Sequence, residues 1–120
     1  MGTPRFTPAR LFADPRDFGR NSVATPVSPP LLDPVQAAWA WFQHRACLAT
    51  FDQLYYRDLT VTDFANALDA DVAWLTRKLH GQTPVSLGDL LQWSLYFEWS
   101  VLPGVENFEA LVTPVGRSER

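Results

Sequence analysis

Between Thr76 and Thr83 the chain reads Thr-Arg-Lys-Leu-His-Gly-Gln-Thr, and all of these residues except Leu79 and Gly81 carry a polar or charged side chain. Arg77 offers a planar fork that matches paired acceptors, Lys78 is a point charge suited to phosphate, and Thr76, His80, Gln82 and Thr83 add further hydrogen-bonding groups. This set can grip a polar or anionic surface but contains no nucleophile with its base. The nearest approach to a catalytic pair is His44 and Cys47, three residues apart. No carboxylate is spaced to orient that imidazole, and an isolated buried thiol is inert, so both read as core or surface residues. His80 stands before Gly81, where an imidazolium complements a helix C-terminus. Asp63, Asp69, Asp71 and Asp89 fit helix caps and turns better than metal ligands or an acid/base pair. With a single cysteine, two histidines and no glycine-rich phosphate loop, a disulfide scaffold and a zinc finger are excluded, and the expectation is a non-enzyme with no cofactor and no metal.

Helices must position these groups. Asp33-Pro34 opens the first, because Asp caps the free amides and Pro at the first helical position loses no needed donor. It runs to about Asp58. Val35, Ala38, Trp39, Phe42, Ala46 and Ala49 share one apolar face, and Trp41, Leu48, Phe51 and Tyr55 form a second. Thr60-Val61-Thr62-Asp63 is a capping box that starts a helix over about 61–68. Asp69-Ala70-Asp71 breaks it, and Asp71 caps a helix that Gly81 ends in the left-handed conformation. Ser86-Leu87-Gly88-Asp89 is a second capping box, opening a helix to about Trp99. Pro103-Gly104 stops it. With no alternating strand pattern, the fold class is all-α.

The 120 residues make room for one domain, and 47% hydrophobic content suffices for its core. A net charge of −3 excludes indiscriminate coating of nucleic acid, so any DNA contact must be local. Seven of the ten prolines fall in residues 1–34, together with Arg5, Arg10, Arg16 and Arg20. Residues 1–32 therefore read as a flexible arm, although Phe6, Leu11, Phe12 and Phe18 give it apolar groups with which to dock. The domain spans 33–103 and a C-terminal extension covers 104–120. No stretch has the length of a signal peptide or a membrane span, giving the expectation of a soluble, cytoplasmic protein.

The run Leu59 to Gly81, with Gln82-Thr83-Pro84-Val85-Ser86 and the Leu-rich helix after it, resembles the helix-turn-helix of the phage-repressor (XRE, Cro-like) family. The similarity extends over roughly residues 35–102. Ala65 is small where two helices cross, and Phe64, Leu68, Leu75 and Leu79 are apolar where both face the core. The resemblance implies a lambda-repressor-like domain that reads double-stranded operator DNA as a transcriptional regulator. It places Thr60, Val61 and Thr62 at the start of the first helix, and Asp71, Val72, Ala73, Thr76, Arg77 and Lys78 on the second, against DNA. Gln82 and Thr83 extend that surface. Arg77 matches the two acceptors on a guanine edge, and Val72 and Ala73 can touch a thymine methyl. Val61 stands where members often place Gln, Asp69 replaces a turn Gly, and Asp71 replaces a Ser or Thr cap. Carboxylates beside phosphates are unfavourable.

Trp93 and Phe97 read as core, the resemblance places Trp99 there too, and Leu95 and Tyr96, with Trp41 or Trp39, form a surplus apolar patch that either a second copy or the chain's own N-terminal arm or residues 105–112 would cover. Members of the family commonly bind as two-fold dimers, so a homodimer through Trp41, Leu95 and Tyr96 is the economical expectation. The competing reading is a protein-interaction module, such as an adaptor, antitoxin-like partner or inhibitor, that keeps the fold without reading DNA.

Overall fold

Each of the four α-helices described in the computed structural model begins at a residue whose side chain closes its first turn. The structure describes residues 6–28, 31–98 and 101. Within them lie α1 (Pro34–Tyr56), α2 (Val61–Ala67), α3 (Val72–Leu79) and α4 (Leu87–Tyr96), preceded by single 3-10 turns at Pro8–Leu11 and Pro15–Asp17. No strand occurs among the described residues, and none of their helices is long and apolar enough to cross a membrane. Asp33 accepts from the Gln36 amide at 2.8 Å, and Asp71 accepts from the Trp74 amide at 2.9 Å. Thr60/Asp63 and Ser86/Asp89 form complete reciprocal capping boxes.

The helix ends follow one pattern. Asp58, Asp69 and Gly81 have φ of 56°, 56° and 75°. After each, the next amide returns to a carbonyl of the last turn: Leu59 to Leu54, Ala70 to Ala65 and Gln82 to Arg77. These are Schellman closures, in which Asp takes the left-handed position at two sites and Gly at the third. α4 closes at Tyr96, with Phe97 as its cap, short of the expected Trp99. Trp99, Pro103-Gly104 and the extension 104–120 lie outside the described residues.

Two expectations need correction. The segment before α1 is not a flexible arm where it is described: Phe12 and Phe18 are 2% and 1% exposed, and Ala9, Leu11 and Ala24 are also buried. Its Pro8–Leu11 turn docks on α1, and the Ala9 amide donates to the Gly81 carbonyl at 2.9 Å. Composition misled because 3-10 turns have no helical periodicity, yet they still deliver apolar side chains to one side. The second correction concerns α1. Val35 is 79% exposed and Tyr55 is exposed, whereas Ala40, Gln43, His44, Ala46, Cys47, Thr50 and Leu54 are buried.

That buried row keeps helical spacing but holds polar groups, each with a bonding role. The Gly19 amide donates to His44 Nδ1 at 2.8 Å, and the Val85 amide donates to Gln43 Oε1 at 2.7 Å. Cys47 Sγ donates to the Lys78 carbonyl at 3.7 Å, and Thr50 Oγ1 donates to the Ala46 carbonyl at 2.8 Å. α1 therefore runs through the core and fastens the N-terminal segment, the end of α3 and the turn before α4. Burial pushes the Cys47 thiol far up, so it serves as a small core residue.

Burial, and then the Arg45 charge, hold His44 below the ordinary imidazole range; burial, and then Arg20, do the same to His80. An unfolded imidazole therefore binds a proton before the folded one does, so stability falls as pH drops through the unfolded value of 6.5 toward the folded pKa values. Thermal melts should show the midpoint decreasing between about pH 7 and pH 5, above the range where carboxylates titrate. A flat midpoint across that window would contradict the neutral, buried assignment of these rings.

Candidate nucleic-acid interface

α2 and α3 are joined by a short turn fixed at both ends, by the Asp69 closure and the Asp71 cap. Phe64, Ala65, Leu75 and Leu79 are fully buried, and Leu68 packs partly against the same core, as their spacing predicts. This leaves the opposite faces of both helices outward. Thr60, Thr62, Ala73, Arg77 and Gln82 are exposed, and Val61, Val72, Thr76 and Thr83 are half-buried. Val61 and Val72 pack against the core, which leaves only part of each for a ligand.

Lys78 does not belong to this surface. It is 8% exposed, its ammonium is paired with the Asp89 carboxylate, and it lies 4.5 Å from the centroid of the Trp74 ring. Burial works to raise the Asp89 carboxyl, but the hydrogen bonds from Lys78 and Ser86 outweigh it and hold it below the usual range. The assignment of Lys78 to a phosphate is corrected: the lysine ties α3 to the capping box of α4. Sequence reading saw Asp89 as a cap alone, although Oδ2 also accepts from Lys78 while bonding the Ser86 amide.

Arg77 forms no ion pair among the described residues, so its guanidinium is free for a ligand. Asp69 and Asp71 are exposed at the start of α3. Acid thus gathers at one end of the helix and base at the other. The N-terminal segment adds to the basic end, because Arg16 and Arg20 line a shallow depression with His80 and Gln82. Arg16 is bonded to Asp14 at 3.1 Å, while Arg20 lies 5.2 Å from the centroid of the Phe51 ring. An arginine arm reaching a DNA groove is a reading the sequence allows, but where these two arginines sit is not legible in it, because Gly19 and His44, 25 residues apart, fix their place.

The proposed dimer residues do not gather into one patch by any contact seen here. Trp41 packs against Phe12 and His44, at 6.3 and 5.4 Å between ring centroids. Leu95 is 66% exposed on α4, where Leu87 and Leu91 precede it at four-residue intervals and are exposed too. Tyr96 rests on Phe64 and Phe97, with ring centroids 5.4 and 4.8 Å away.

In comparisons with protein-family models, curated proteins and solved structures, the chain has no match.

Proposed function

We propose that the chain is a sequence-specific DNA-binding regulator that presents α3 to the major groove. The observation that carries this reading is the division of α3. Leu75, Lys78 and Leu79 are locked inward by packing or pairing, while Ala73 and the unpaired Arg77 are exposed, as are Thr60 and Thr62 at the start of α2. A rigid helix with one free guanidinium and a small neighbour can offer a bidentate donor to guanine and a methyl contact to thymine. Arg20 supplies charge for the phosphate backbone near the exit of α3. A homodimer would place two such helices on a two-fold operator, and the exposed α4 leucines offer one apolar surface for it.

Selection from a random duplex pool should enrich one motif. On that duplex, Asp71→Ser should tighten binding about threefold to tenfold at low salt, because it removes a like charge near phosphate and retains an N-cap. A pool that enriches nothing for either protein would instead favour the interaction module. In that case Arg77→Ala should disrupt capture of a protein partner.

A further inference from the structure

A cleft of about 410 Å3 lies between the N-terminal segment and α1, within the range of small-molecule sites, roughly 300–1,000 Å3. Its α1 wall consists of two neighbouring rows at four-residue intervals, Trp41-Arg45-Ala49 and His44-Leu48-Asp52. Arg20 and Ser22 form the opposite wall. We propose that this cleft binds an organic anion with a flat apolar body, such as an aromatic carboxylate, a property that does not need α3 to read DNA although both readings draw on Arg20.

Charge supplies the first argument. Arg20, Arg45 and Asp52 form no ion pair among the described residues, and the two guanidiniums outnumber the carboxylate in a chain of net charge −3. A guanidinium fork matches a carboxylate through two parallel hydrogen bonds. Asp52 opposes an anion near its own end and so favours placing the charged group between Arg20 and Arg45.

The second argument is a buried donor without a well-placed acceptor. His44 is fully buried on the cleft wall, and its Nδ1 accepts from the Gly19 amide. The neutral ring must then carry its proton on Nε2, which makes no hydrogen bond of good geometry, the Asn21 backbone being the acceptor beside the ring. A buried donor without a well-placed acceptor is unfavourable, and an acceptor oxygen on a ligand would relieve it. Trp41, Leu48 and Ala49 supply apolar surface for a ring, with Ala49 leaving depth that a larger side chain would fill.

The test is an amide and indole N–H NMR titration of the full chain with 1-naphthoate, 1-naphthamide and inorganic phosphate. 1-Naphthoate should give saturable shifts at the Trp41 indole and the Ser22 and Leu48 amides, while the neutral amide and phosphate bind about tenfold more weakly or worse. Arg45→Met, an exposed substitution on α1, should weaken 1-naphthoate about tenfold and leave the remaining spectrum unchanged. Equal binding of acid and amide, equal binding of phosphate, no effect of Arg45→Met, or no saturable shift would each overturn the proposal.

Discussion

Removing residues 1–32 is expected to abolish cooperative folding, although all four α-helices and their caps are retained. Leu11, Phe12 and Phe18 are almost fully buried, and burying side chains of this kind contributes roughly 1.5–3 kcal/mol each, on the order of 5–9 kcal/mol together. A domain of this size has a total stability of about 5–15 kcal/mol. The truncation also strips the Gly19 amide from His44 and opens the central row of α1 to water. Circular dichroism should show a broad, non-cooperative melt for residues 33–120 and a sharp one for the full chain. A sharp melt of the truncated chain within a few degrees of the full one would refute this role. Gly19→Ala tests the same joint more gently. At φ of 71° its Cβ would stand 2.9 Å from the Leu79 carbonyl oxygen and 3.0 Å from Cys47 Cβ. A cost of about 2 kcal/mol or more is expected.

Lys78→Ala should destabilise the fold by about 3–5 kcal/mol, since it leaves the Asp89 carboxylate largely buried without its cation. The Trp74 ring loses its cation at the same time. Lys78→Met with Asp89→Asn should recover much of that loss by removing both charges together. Denaturant titrations give these values directly. A Lys78→Ala protein of unchanged stability, whose DNA binding instead lost about one unit of salt slope, would return this lysine to the phosphate backbone.

Local rules were legible in the sequence wherever partner and cap lie within a few residues. Asp33, Thr60 with Asp63, Asp71, Gly81 and Ser86 with Asp89 all act where their types and spacing place them. The buried face of α1 was not legible, because Gln43, His44, Cys47 and Thr50 count as polar in any apolar periodicity. Three of the four bond to chain 25 to 42 residues distant. Lys78 was misplaced for the same reason: its partner Asp89 already had a sufficient local role. Within the candidate interface, the types and order of residues were readable, but which cation is free depended on packing between α3 and α4.

The central claim, that Arg77 on α3 reads a base, is tested most directly by titrating wild type and Arg77→Ala against the enriched duplex and its single-base-pair variants at matched salt. The account predicts that Arg77→Ala costs about 1–3 kcal/mol on the enriched duplex and equalises affinity at one base pair while leaving the other preferences intact. Uniform weakening across all duplexes, or no change in any, would contradict it.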